Sequence, residues 1–332
     1  MFHRTNISLT LVFVLTASVS HAQTADERLR GLIGNLRSAQ SSVVEKARTE
    51  IKKIGTPAIP YLNDLLKNDT SSRVRREAVL GLMRVGSFAQ SSVVALSKAL
   101  DDRDPGVREA AVMALQSAGS NAKSAVPALI TLFNNPQNSS QIRSYCVSAL
   151  GRIGSDAKEV QVFLANALKR DSDSHVRISA AQALAHATKA TNTTLPALQD
   201  ALKNDKDGSV RRFCVYAISF LLGNTGVIVP AMIDAMTIPA LSKAIQKDKD
   251  GEVRSLAIDA IRAIGGDVSA LVPIIALALR DNDSTVRLSA ENTLAAMGQS
   301  AVAALQAALN SEKDSQAAQS LRQIIKRINP KL

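Results

Sequence analysis

A Val or Ile, usually followed by Arg, returns along this chain at intervals of 31 to 35 residues, with one interval of 43. The copies are Val74-Arg75, Val107-Arg108, Ile142-Arg143, Val176-Arg177, Val210-Arg211, Val253-Arg254 and Val286-Arg287, with Val43-Val44 as a degenerate first one. This period constrains the fold more than any composition figure. A unit so short cannot bury an apolar face alone, so it must stack on its neighbours.

Each copy repeats further residues. Four positions on sits a small side chain: Ala47, Ala78, Ala111, Cys146, Ala180, Cys214, Ala257 or Ala290. Eight on sits Ile51, Leu82, Leu115, Leu150, Leu184, Ile218, Ile261 or Leu294, and eleven on another apolar residue, from Ile54 to Met297. These offsets fall on one stripe of a 3.6-residue helix, here helix A. The next residue is Gly in six copies (Gly55, Gly86, Gly119, Gly154, Gly265, Gly298), and predicts a left-handed helix end.

A second helix, B, is predicted about 20 residues past the Val, with Pro60, Pro127, Pro196, Pro239 and Pro273 at its start. Asp-rich turns such as DDRDPG and NDKDGS lead into the next helix A and supply its caps. The expected fold is all-α: a solenoid of about eight stacked helical hairpins over residues 40–310. A lead-in helix over 23–39 and a capping helix over 311–332, with Leu321, Ile324, Ile325 and Ile328 on one face, complete it.

The Val-Arg start, the Ala-x-x-x-Leu spacing, the Gly end and the Pro-led second helix resemble HEAT repeats. The resemblance is to the bacterial HEAT-like kind, similar to phycobilisome-lyase-type repeats, and covers residues 40–310. It implies a superhelical scaffold that binds other proteins. It also implies that Arg75, Arg108, Arg143, Arg177, Arg211, Arg254 and Arg287 are stacking residues.

The N-terminus reads as an address. Arg4 precedes the 11-residue apolar run Ile7–Ala17, then Ser20-His21-Ala22 places small residues where a signal peptidase reads. Residues 1–22 are therefore expected to be a signal peptide cut after Ala22, giving a periplasmic or secreted protein. No apolar run approaches the ~18–20 residues of a spanning helix. The chain has 40 Lys+Arg against 29 Asp+Glu, a net charge of +11. Outside the cytoplasm that charge points to weak contact with anionic envelope components. With 3% aromatic residues and no Trp, the composition argues against nucleic acid.

Other residues that could carry chemistry have simpler roles. The turns Asp205-Lys206-Asp207-Gly208 and Asp248-Lys249-Asp250-Gly251 look like half a calcium loop, but the remaining ligand positions are not acidic, so they read as caps. Cys146 and Cys214 are two repeats apart, too far for a disulfide, and read as buried small hydrophobes. His175 and His186 are three helical turns apart and share no metal. No catalytic, cofactor or metal site is expected. Along helix B a mixed row runs Asp64, Lys98, Thr131, Asn166, Asp200, Lys243, Leu277, Ala307. Three residues further a mainly basic row runs Lys67, Asp101, Asn134, Lys169, Lys203, Gln246, Arg280, Asn310, at helix C-termini.

The clearest departure from the repeat is an apolar insert over 223–237. It reads as a longer helix B or a short extra helix folded onto the array, as a hinge, or as a ridge whose Val227, Ile228, Val229, Met232, Ile233 and Met236 are candidate partner contacts. The functional expectation is an exported, non-enzymatic scaffold that binds another protein through the solenoid surface. The alternatives are a lyase- or maturation-type protein holding a substrate or chromophore, and an electrostatic binder of anionic polymer or lipid.

Overall fold

The computed structural model describes residues 26–86, 90–187, 192–224, 237–264 and 269–330. Among these every regular element is helical. The chain forms two compact units, Met1–Asn135 and Pro136–Leu332, and the expected hairpins over 40–310 are shared between them.

The first unit contains α1 (26–35), α2 (Ser41–Ile54), α3 (Ile59–Asn68), α4 (Ser72–Val85), α5 (Gln90–Ala99), α6 (Pro105–Ala118) and α7 (Val126–Asn134). The A helices α2, α4 and α6 pack in succession, as do the B helices α3, α5 and α7. Two layers result, with the core between them.

The second unit repeats the plan. It holds α8 (Ser140–Gly154), α9 (Lys158–Arg170), α10 (Ser174–Ala185), α11 (Thr194–Asn204), α12 (Gly208–Asn224), α13 (Ile238–Lys247), α14 (Gly251–Ile264), α15 (Val272–Leu277), α16 (Ser284–Ala296), α17 (Val302–Ser311) and α18 (Ser315–Ile328). The even-numbered helices form the A layer and the odd-numbered ones the B layer. Helix α18 packs on α16, with Ala317, Leu321 and Ile325 buried.

The predicted stripe is the core. The small residue and the Ile or Leu of every copy are buried, as are Val74, Val107, Ile142, Val176, Val210, Val253 and Val286. The position eleven on is less uniform: Ala118, Ile153, Ala187 and Leu221 are buried, whereas Ile54, Val85 and Met297 are half-exposed. Small residues let the A helices approach. A Cβ on Gly151 of α8 would stand 2.6 Å from the Ala183 Cβ of α10.

Among the described copies the helix ends follow the sequence with one exception. Gly55, Gly86, Gly119 and Gly298 have φ between +54° and +74°, where L residues are strained. Gly154 instead continues α8, with Ser155 as a right-handed cap, so the expected left-handed stop is absent there. Gly265 lies outside the described residues. Pro60, Pro127, Pro239 and Pro273 occupy the first turns of their B helices, where a missing N–H costs no helical hydrogen bond.

Helix α12 runs on through Gly223 and Asn224, so the first residues of the insert belong to helix A. Beyond it, Thr237 is buried and its hydroxyl oxygen accepts from Gln199 Nε2 at 2.9 Å. Val227, Ile228, Val229, Met232, Ile233 and Met236 lie outside the described residues.

Candidate protein-binding surfaces

The recurrent charges are engaged inside each unit. Arg75 donates Nε and a terminal nitrogen to both oxygens of Asp102, each at 2.7 Å, and its other nitrogen to the Asp69 and Thr70 carbonyls. The same planar fork joins Arg143 to Asp171, Arg177 to Asp205, Arg211 to Asp248 and Arg254 to Asp281, at 2.7–2.9 Å. Each Arg thus ties the turn before its own helix to the turn before the next A helix. The Asp forks hold all five guanidiniums even more firmly protonated than usual. Burial pushes the Asp102 and Asp281 carboxyls up, but their Arg forks and backbone donors outweigh it and the net shift is downward.

Two of the seven predicted stacking arginines differ. Arg108 donates to the Asp102 and Arg103 carbonyls, but Asn135 stands where the next turn has its Asp elsewhere. Arg287 donates to the Asp281 and Asn282 carbonyls, whereas the next acid, Glu312, accepts from Arg280 Nε at 3.1 Å. At the other end Val44 replaces the Arg, and Arg37 takes Asp69 at 2.8 Å. Buried Glu77 accepts a further fork from Arg48, at 2.6 and 2.7 Å. Neither Arg37 nor Arg48 sits in the repeat's Arg register, so periodicity did not reveal them.

In turns with a second Asp, that residue caps the following helix: Asp104 accepts from Val107 N–H, Asp173 from His175 N–H and Asp283 from Thr285 N–H. Their carboxyls also reach back to the preceding helix start. Ser72 donates to Asp104, and Ser140 to Asp173. Where the helix begins with Gly208, an added Cβ would meet Asp250 Oδ2 at 2.5 Å. The Asp-Lys-Asp-Gly turns are therefore caps, and Gly208 stands against the Asp250 carboxylate where other copies place a Ser that donates to the corresponding Asp. Asp205 accepts the Arg177 fork and the Asp207 N–H, and Asp207 accepts Ser209 N–H.

The remaining candidate side chains are dispersed. Cys146 and Cys214 are free and buried, and desolvation pushes the Cys146 thiol up to about 12 and the Cys214 thiol higher. His175 is exposed beside its own cap, Nδ1 3.3 Å from Asp173 Oδ1. His186 packs edge-on against Phe220, with ring centroids 6.1 Å apart. Among the described residues no three His, Cys, Asp or Glu side chains gather as a metal site would require, and no helix is long and apolar enough to cross a membrane.

Two kinds of surface remain open. The first is the B layer. A groove of about 670 Å³ lies between α3 and α5, and one of about 640 Å³ between α9 and α11. Asp64, Lys98, Asn166 and Asp200 of the mixed row line them, with Lys67 and Lys169 of the basic row. The second is the outer face of α12, where Tyr216 and Phe220 are each 50% exposed and Phe213 lies 6.1 Å from Tyr216. Their spacing in FCVYAISF puts all three on one helical face. That signal was in the sequence, and the overall scarcity of aromatic residues masked it.

The sequence pattern of the family described as HEAT repeats matches residues 29–116, 62–144, 93–185, 137–219, 162–237 and 238–325. No curated protein sequence matches the chain. Among solved structures, an engineered protein is 22% identical, with 90% of this chain and 88% of that one covered and a TM-score of 0.49.

Proposed function

The chain belongs to the HEAT-repeat family, and from that premise we propose that it is an exported, non-enzymatic scaffold that binds another protein through its helix B layer. HEAT repeats typically mediate protein–protein interaction, and their fold is typically non-catalytic. The observation that carries the proposal is the division of labour among polar residues. The side chains that recur are bound to one another along the turns, whereas residues that vary between copies line the grooves between adjacent B helices. Variation along a repeated frame is how one array selects one partner.

The export part rests on residues 1–22. Its test is the intact mass of the protein recovered from the extracytoplasmic fraction of its own host. A chain beginning at Gln23 supports the proposal, and an uncleaved cytoplasmic chain contradicts it. The binding part is tested by crosslinking from photoreactive residues placed at Asn166 on the B layer and at Arg152 on the A layer. A discrete protein adduct from the first position alone is the expected result, and adducts from the A layer alone would contradict it.

A second reading, electrostatic binding of an anionic polymer, is favoured by the turn edge of the second unit. The turn acids Asp205, Asp248 and Asp281 face inward to their Arg forks, while Lys203, Lys206, Lys247 and Lys249 are exposed. Binding that vanishes with added salt would support this reading.

A further inference from the structure

The two B-layer grooves have similar volumes and different charge. Between α9 and α11, Lys169 pairs with Asp200 at 3.4 Å, and Asp205 is held by Arg177. Between α3 and α5 the acids are occupied differently. Asp102 is held by Arg75 and Asp69 by Arg37, and Asp64 accepts from Asn68 Nδ2 at 2.6 Å. Lys67 and Lys98 line this groove exposed, and neither forms an ion pair among the described residues.

The floor of the α3–α5 groove is apolar. Leu66, Ala95 and Ala99 line it, with Val94 45% exposed. At its side the Asn63 oxygen is shielded from solvent yet accepts no hydrogen bond. Such a group seeks a donor, and rotation of the side-chain amide would present it to a ligand. A volume of about 670 Å³ is within the ~300–1,000 Å³ range of ligand clefts.

We propose that the α3–α5 groove binds an extended acidic peptide segment. Two carboxylates of the segment lie on Lys67 and Lys98, an aliphatic side chain between them rests on Val94 and Ala95, and a peptide N–H meets Asn63. The proposal rests on the reading of the chain as a protein-binding scaffold and names the chemistry of one contact. The cations select acidic side chains, and the apolar floor separates such a segment from a purely ionic polymer or an anionic bilayer.

The test is fluorescence anisotropy of the full chain with a labelled Glu-Val-Glu-Val-Glu-Val peptide, beside Lys-Val and all-Glu peptides of equal length. The Glu-Val peptide should bind at least 10-fold more tightly than either. Lys98→Glu and Lys67→Glu should each weaken it at least 10-fold, while Lys203→Glu in the other unit leaves it within twofold. All three lysines are exposed, and circular dichroism confirms that the variants fold. Equal loss in Lys203→Glu, equal binding of the all-Glu peptide, retention on vesicles of anionic phospholipid in place of the peptide, or no binding would each overturn the proposal. A crosslinked partner that binds Lys98→Glu as well as wild type would overturn the groove proposal alone and leave the scaffold reading intact. Absence of any B-layer adduct while the peptide still binds would overturn the scaffold reading alone.

Discussion

The two units use the same Arg–Asp fork with different regularity. In the second, Arg143, Arg177, Arg211 and Arg254 each grip the Asp of the following turn, four forks in succession. Among the described residues of the first, only Arg75 and Asp102 form that fork in register. Arg37 substitutes before it, and Asn135 takes the acid position after it. The fork is therefore a device for the interior of a stack, and the ends of the pattern are served by residues outside the repeat. The same contrast appears in the grooves: Lys169 is ion-paired between α9 and α11, whereas Lys67 and Lys98 between α3 and α5 have no ion pair among the described residues.

The sharpest way to break the comparison is to remove one acid from each kind of site. Arg177 and Asp205 are both nearly buried, so Asp205→Ala strands a guanidinium and should cost ~3–5 kcal/mol in urea unfolding. Glu312→Ala leaves Arg280, which is 41% exposed and stays hydrated, and frees the Asp314 N–H, so it should cost about 1–2 kcal/mol. Comparable losses at both would show that interior and terminal pairs are equivalent.

A smaller effect tests the packing beneath the forks. Gly151→Ala forces a methyl into the α8–α10 contact and should cost about 1–3 kcal/mol, read as a lower midpoint with unchanged slope. An unchanged midpoint would mean that the two helices separate freely.

Repairing the first unit should help it modestly. Asn135→Asp supplies the missing acid of the turn that follows Arg108, and should raise the thermal midpoint by a few degrees, equivalent to about 1 kcal/mol. A lower midpoint would show that the amide is preferred there.

Acid should loosen both units gradually, each group adding little. Asp102 and Asp104 in the first unit, and Asp173, Asp207, Asp281 and Asp283 in the second, have carboxyls held below their ordinary value. A depressed folded pKa gives stability that is fully present above the unfolded value, ~3.9, and is lost as pH falls through the folded value. Hydrogen exchange from pH 5 to pH 2 should therefore loosen α6 and α16, each led in by two such carboxyls, more steeply than α10 and α12, each led in by one. The opposite order would break the comparison.

The stack itself was legible in the sequence because its core obeys one period. The row from Val74 to Val286 and the buried Ala and Cys positions needed only helical spacing. Five of the seven recurring arginines fork onto the Asp of the next turn. The misses share a cause. Arg37, Arg48 and Glu77 act across helices from positions where the repeat carries no signal, and Gly154 stays helical although its neighbours in the pattern end a helix. Surface function was less legible. The apolar insert drew attention through composition, but its candidate contacts Val227 to Met236 lie outside the described residues. The exposed Tyr216 and Phe220 depend on what fails to cover them, which no local pattern states.

The central claim is that the recurring Arg and Asp hold the stack together and leave binding to the residues that vary. A double-mutant cycle on Arg177→Ala and Asp205→Ala, followed by urea unfolding of the full chain, tests it most directly. The account predicts strong coupling: the double variant should be more stable than the two single losses add up to, by at least ~1.5 kcal/mol. Additive losses within about 0.5 kcal/mol would contradict it.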